Sequence, residues 1–209
     1  MADLTRKELM NKHWKYYLML ENKFLNILNY VELTADNYNT YSNEFAAFLQ
    51  IVGAELDVFF KRYCGYNLDD TRKNVAQYAD SILTSYPDIR NQEISIIEKD
   101  MVIKPFEGWD KSRAKQSLFW WEAFDNVKHN RVDKFSDASL KNCLYSLSAL
   151  FLLEMKYLSN ITNNKKEADI PVGESKLFNL IGWKFRYLSM EGAFAVMCDE
   201  IEKIVEEDK

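Results

Sequence analysis

Residues 43–64 read Asn-Glu-Phe-Ala-Ala-Phe-Leu-Gln-Ile-Val-Gly-Ala-Glu-Leu-Asp-Val-Phe-Phe-Lys-Arg-Tyr-Cys, and this stretch decides the fold. Apolar side chains recur along it every three or four residues, which is the spacing of an amphipathic helix with one buried face. The residue that follows, Gly65, is typical of the position just past a helix C-terminus. The stretch therefore predicts one long helix, the second along the chain, in a bundle of helices.

Four further helices are predicted on both sides of this stretch. They cover residues from about 5 to 31, 71 to 85, 117 to 129, and from 136 or 137 to 160. The first begins with a capping-box pattern at Thr5 and Glu8, and Asp70 is the predicted N-cap of the third predicted helix along the chain. Only six glycines and three prolines occur in the chain, which favours long regular elements with few tight turns.

The segment between the third and fourth predicted helices along the chain changes character. Isoleucine and valine flank Lys99 and Asp100, and this enrichment in β-branched residues predicts a small β-hairpin at about 92–105. The predicted fold class is therefore mainly α: an up-down helical bundle over residues 1–160 with a small β-hairpin insertion and a C-terminal appendage.

The predicted appendage follows a polar connection. Residues 161–173 are predicted to form a loop, and residues 174–209 a C-terminal extension. Alternating residues at 183–187 predict a short strand, and residues 191–207 predict a final helix.

Composition and charge exclude several classes of protein. The formal net charge of −5 argues against a protein that coats nucleic acid, although a local basic patch is compatible with it. The three cysteines are far apart and form no CxxC pair, so each is predicted to be a small apolar residue in a reducing compartment. No apolar run is long enough for a membrane span, and a cytoplasmic protein is predicted.

Three carboxyl groups stand on faces that the helical spacing predicts to be buried: Glu21, Glu55 and Asp125. Burial of an unpaired charge costs several kcal/mol, so each needs a partner. We expect one polar cluster between the first, second and fourth predicted helices, with partners from Lys61, Arg62, Lys128, His129 and Arg131. Two interpretations stay open: a structural ion-pair network, or a polar cleft that binds phosphate or transfers protons.

The two histidines decide what chemistry such a cleft could perform. His129 has the residue type suited to proton transfer near neutral pH, and Lys128 and Arg131 could stabilise phosphate charge. His13 is predicted to be solvated or to cap the first helix. Neither histidine has the partners of a zinc or di-iron site, and no nucleophile or nucleotide-binding motif occurs, so no metal or other cofactor is expected.

Residues 124–131, Phe-Asp-Asn-Val-Lys-His-Asn-Arg, lead into Phe-Ser-Asp-Ala-Ser-Leu-Lys-Asn at 135–142 and a helix rich in Leu and Ala. This pattern resembles the last two helices of bacterial HEPN-like proteins, over a third to a half of the chain. The resemblance implies a helical bundle, often a homodimer, that acts on RNA in toxin–antitoxin, abortive-infection or other antiviral defence systems.

The resemblance also implies roles for residues of the fourth predicted helix. The resemblance implies that catalytic members cut RNA without metal, using an Arg that is followed after four to six residues by a His. Here residues 122–124 are Glu, Ala and Phe, and Arg131 follows His129. The hypothesis is an RNA- or nucleotide-binding protein in which Asn126, Lys128 and Arg131 contact phosphate, with His129 as the catalytic residue if it is a ribonuclease. The alternative is a non-catalytic helical module for interaction or assembly with a partner protein, with a structural polar cluster.

Overall fold

The computed structural model describes residues 4–69, 72–163 and 169–182. The fold is mainly α with one small antiparallel sheet, which confirms the predicted fold class. The predicted strand at 183–187, the predicted final helix at 191–207, Cys198 and the predicted N-cap Asp70 lie outside the described residues.

Six α-helical segments form the bundle in the described part of the chain. They are α1 (Arg6–Leu9), α2 (Lys15–Ile27), α3 (Asn43–Tyr63), α4 (Val75–Ser85), α5 (Phe119–Asn130) and α6 (Leu140–Thr162). A π-helical turn, Met10–Trp14, joins α1 to α2, so residues 6–27 run as one N-terminal helix. The predicted α3 is confirmed, with its N-terminus capped by the Ser42 hydroxyl.

Two helices begin later than predicted because other side chains cap them. The Asn74 side chain accepts hydrogen bonds from the backbone N–H groups of Ala76 and Gln77, and the Gln77 side chain caps Asn74 in return. Helix α4 therefore begins at Val75 rather than near residue 71. Helix α6 begins at Leu140 rather than at 136 or 137, because the Ser139 hydroxyl accepts from a backbone N–H of the first turn.

The π-helical turn changes which side chains of the N-terminal helix are buried. A π-helical turn places an extra residue in one turn of helix and rotates the side chains that precede it. His13 is only 6% exposed, so the prediction of a solvated or capping histidine is wrong. Its neighbour Trp14 is also buried and stacks on Tyr17, with ring centroids 4.8 Å apart.

The sheet confirms the predicted hairpin and adds a third strand to it. Strands β1 (Ile94–Ile96) and β2 (Val102–Ile103) form the antiparallel hairpin. Strand β3 (Phe178–Leu180) pairs with the other edge of β1, and this pairing was not predicted. Phe178 packs against Phe151 of α6, with ring centroids 5.5 Å apart, and so attaches the sheet to the bundle.

The core lies between α3 and α6, and α5 packs against both. Trp120, Trp121 and Phe124 of α5 are buried, as predicted, and the indole N–H of Trp120 donates to the Pro105 carbonyl at 2.7 Å. Phe124 of α5 packs directly against Gly53 of α3, where an added Cβ would lie 2.2 Å from the Phe124 ring. Within the described ranges, no helix combines the length and apolarity that a bilayer span requires.

Candidate functional site

A cleft of about 530 Å³ opens between α3, the start of α4 and α5. Four lysines and two aspartates line it, together with uncharged side chains from the same elements. The charged residues are Asp57 and Lys61 of α3, Lys73 before α4, Lys115 before α5, and Asp125 and Lys128 of α5. We call this cavity the lysine cleft.

The α3 wall of the lysine cleft is held by Asp57. Its carboxyl group accepts a hydrogen bond from the Tyr78 hydroxyl of α4 at 2.8 Å and pairs with Lys61 Nζ, one helical turn later, at 2.8 Å. Burial and the nearby Asp57 raise the pKa of Tyr78 above its usual range, so the phenol keeps its proton for this bond. Asp57 therefore fixes the position of the Lys61 ammonium group.

The α5 wall is organised around Asp125. One carboxyl oxygen contacts Lys115 Nζ, and the other lies 3.4 Å from Nε2 of His129, one helical turn later. The His129 side chain is 66% exposed and is not part of the cleft lining; its contact with Asp125, which is part of the lining, puts it at the rim. Asp125 therefore joins a lysine of the cleft to the one histidine that is accessible to solvent among the described residues.

Two lysines of the cleft are held by aromatic rings instead of carboxylates. Lys73 Nζ lies 4.3 Å from the centre of the Tyr66 ring, and Lys128 Nζ lies 5.5 Å from the centre of the Phe124 ring. Neither has an ion-pair partner among the described residues. A cation–π contact positions an ammonium group without neutralising its charge. The cleft therefore carries a local excess of positive charge within an acidic protein.

The residues predicted to form the site fall into separate places. Lys61, Asp125 and Lys128 line the lysine cleft, and His129 stands at its rim. Two other predicted site residues are outside this lining. The Asn126 side chain donates a hydrogen bond of 2.8 Å to the carboxyl group of Asp137, in the connection between α5 and α6. Arg131 is exposed just past the end of α5. Sequence reasoning missed Asp57, Lys73 and Lys115 as cleft residues. The spacing of Asp57 and Lys61, four residues apart on α3, was the available signal.

Glu21 is buried and Glu55 is half-buried, and each is bonded to groups other than Lys61 and His129, so the prediction of one shared cluster is wrong. Glu21 accepts hydrogen bonds from the Tyr17 hydroxyl at 2.6 Å, from the Ser175 hydroxyl, and from the Lys176 backbone N–H at 2.8 Å. Its partners thus come from its own helix and from the segment before β3. This network holds that segment on α2.

Glu55 pairs with the buried histidine instead. Nδ1 of His13 lies 3.1 Å from Oε1 of Glu55, and the two side chains are 8% and 16% exposed. The His13 ring also packs edge-on against Phe59, with ring centroids 5.2 Å apart. The His13–Glu55 pair therefore connects the π-helical turn to α3, and neither residue lines the lysine cleft.

Comparisons with known proteins add no further assignment. No family model, curated protein or solved structure matches the chain. The resemblance to HEPN-like proteins, and the homodimer and RNA partner that it implies, stay predictions. In the part of the chain that the structure describes, no group of His, Cys, Asp and Glu side chains is arranged to hold a metal ion.

Proposed function

We propose that the protein binds the phosphate groups of RNA or of a nucleotide in the lysine cleft. The observation that carries the proposal is the convergence of Lys61, Lys73, Lys115 and Lys128 on one cavity. Lysine ammonium groups bind phosphate as compact point charges. Two of the four, Lys73 and Lys128, are free of carboxylate partners among the described residues and so are available to a ligand.

The overall charge of the protein supports a local site rather than general attraction to nucleic acid. A net charge of −5 gives the protein as a whole no attraction for phosphate, so binding has to rest on local groups such as the lysines of the cavity. Each phosphate contact that neutralises charge releases counterions, which makes the affinity depend on salt. A single-stranded RNA and a mononucleotide share this chemistry and differ in how many phosphates they bring.

We predict that Lys128→Glu weakens binding of a fluorescent oligouridylate about tenfold or more, because it places a negative charge where the cleft offers a cation. The slope of log K against log salt is expected to fall by about 0.7 for each lost phosphate contact with a single strand. Lys73→Glu is expected to act in the same way. Fluorescence anisotropy at several salt concentrations measures both quantities, and a fluorescent ATP analogue tests the nucleotide.

The matched control for these variants is Lys99→Glu. Lys99 lies in the hairpin turn, pairs with Glu32 and is absent from the cleft lining, so this variant makes the same charge change elsewhere. It is expected to leave the affinity within about twofold, since distant charges are screened by salt. Equal weakening by Lys99→Glu and Lys128→Glu would contradict the cleft as the site. If log K for RNA depends on log salt concentration with a slope above one, and log K for the ATP analogue shows no such dependence, the ligand of the cleft is RNA.

A second candidate function, cleavage of bound RNA, rests on the position of His129. The imidazole stands at the rim of the cleft beside Asp125, which can orient it for proton transfer. We predict that His129→Gln lowers cleavage about 100-fold or more while RNA affinity stays within twofold. Cleavage of a labelled RNA in the presence of EDTA measures this. Cleavage that survives His129→Gln would remove the catalytic hypothesis and leave phosphate binding untouched.

A further inference from the structure

Helix α6 carries a buried carboxyl group that has no hydrogen-bond partner. Glu154 is 1% exposed, and neither of its oxygens finds a partner among the described residues. It lies in the middle of the longest helix, where α6 packs against α3 and the N-terminal helix. Buried polar groups are nearly always hydrogen-bonded, so such a group requires an explanation.

The titratable groups around Glu154 belong to three helices. Phe151, three residues before Glu154, packs on Trp14 and Tyr17 of the N-terminal helix, and Tyr157, three residues after it, packs on Phe59 of α3. Glu154 interacts electrostatically with Glu55 of α3, which pairs with His13 of the π-helical turn, and with Tyr17 of α2, whose hydroxyl donates to Glu21. Burial first, and the negative charge of Glu55 second, raise the pKa of Glu154 well above its usual range.

We propose that Glu154, Glu55 and His13 form a proton-dependent latch that holds the N-terminal helix on α3 and α6 while Glu154 is protonated. In the closed state one negative charge, on Glu55, is stabilised by His13 across the helix interface. Ionisation of Glu154 would add a second carboxylate to that of Glu55, at a fully buried position with no hydrogen-bond partner among the described residues, where an unpaired charge is strongly disfavoured. Opening the interface to water relieves that penalty.

Contacts of the N-terminal helix explain why it is the element that responds. It carries His13, and the backbone N–H of Leu4, just before it, donates to the Tyr157 hydroxyl of α6 at 3.2 Å. Its Trp14 packs on Phe151 of α6, with ring centroids 6.1 Å apart. Helices α3 and α6 share a larger interface with each other than either has with the N-terminal helix, so in this proposal they stay packed while it opens.

The pH dependence follows from the direction of the shift. The pKa of Glu154 is raised in the closed state and ordinary in the open state. As the pH rises above the ordinary pKa of glutamic acid, Glu154 therefore loses its proton in the open state while it is still protonated in the closed state. The closed state is therefore most favoured at low pH and is weakened with increasing pH until the raised pKa is passed. One proton changes the opening equilibrium constant about tenfold per pH unit over that range.

The experiment is hydrogen exchange of wild-type protein between pH 5 and 9, corrected for intrinsic exchange rates. Protection of residues 6–27 is expected to fall by up to about tenfold per pH unit, while α3 keeps its protection. In Glu154→Gln, which preserves the shape and removes the titration of this group, the fall in protection of residues 6–27 with pH is expected to be smaller than in wild type by up to about tenfold per pH unit. Glu154→Leu provides a second non-titrating variant if the amide is poorly tolerated.

Glu107→Gln makes the same chemical change at an exposed position and is expected to keep the wild-type pH dependence. The proposal is overturned if wild-type protection of residues 6–27 does not change with pH, or if its slope is as large in Glu154→Gln. It is also overturned if α3 and the N-terminal helix lose protection together, because the proton would then control global unfolding. Neither result bears on phosphate binding by the lysine cleft.

Discussion

Replacing Glu21 by Leu is expected to lower the free energy of unfolding by about 3 kcal/mol and to release the segment that precedes β3. The Glu21 carboxyl group is 2% exposed and accepts from the Tyr17 hydroxyl, the Ser175 hydroxyl and the Lys176 backbone N–H. Removing it takes the acceptor away from three donors; the Tyr17 and Ser175 hydroxyls, 3.2 Å apart, can still bond to each other, and each donor left unsatisfied away from water costs about 1–3 kcal/mol. Relaxation of the segment offsets part of that cost.

Two milder variants separate the hydrogen bonds from the packing. Tyr17→Phe removes one donor and keeps the ring, so we expect a loss of about 1 kcal/mol. Glu21→Gln keeps the shape and one acceptor oxygen, and is expected to fall between Tyr17→Phe and Glu21→Leu. Urea unfolding measures all three, and hydrogen exchange of β3 reports the release of the segment. A Glu21→Leu protein as stable as wild type would show that apolar packing replaces the network without loss.

The helices could be predicted because their signals are local. The apolar stripe of α3 and its following Gly65 are complete within one stretch of sequence, and the structure begins and ends α3 within one residue of the prediction. The start of α4 was missed although its signal is also local: Asn74 and Gln77 form a capping box that competes with Asp70. The π-helical turn has no comparable sequence signature, which is why His13 was placed in solvent.

The candidate site was predicted only where its residues lie on periodic helices. Lys61, Asp125 and Lys128 stand on α3 and α5, whereas Lys73 and Lys115 precede helices and follow no spacing that sequence alone can interpret. The partners of Glu21 illustrate the remaining difficulty. Ser175 and Lys176 are 154 and 155 residues away, and only the docking of the β3 segment brings them to α2.

Replacing Gly53 by Ala is expected to destabilise the protein by about 3 kcal/mol, although alanine is the better helix former by about 1 kcal/mol. A Cβ at residue 53 would lie 2.2 Å from Cδ2 of Phe124, far inside van der Waals contact. The Phe124 ring cannot turn away freely, because Trp121 packs against it with ring centroids 5.3 Å apart. Helix α5 must therefore shift, and with it the wall of the lysine cleft that carries Asp125 and Lys128.

Removing the Phe124 ring is expected to turn Gly53→Ala from a destabilising into a stabilising substitution. Phe124→Ala alone costs about 3–5 kcal/mol as a large-to-small core substitution, but it clears the space that a Cβ at residue 53 needs. In that background Gly53→Ala should stabilise the protein by about 1 kcal/mol through helix propensity. Urea unfolding of the four proteins forms a double-mutant cycle with an expected coupling of several kcal/mol. Equal costs of Gly53→Ala in both backgrounds would mean that α3 and α5 do not pack as closely as Gly53 and Phe124 indicate.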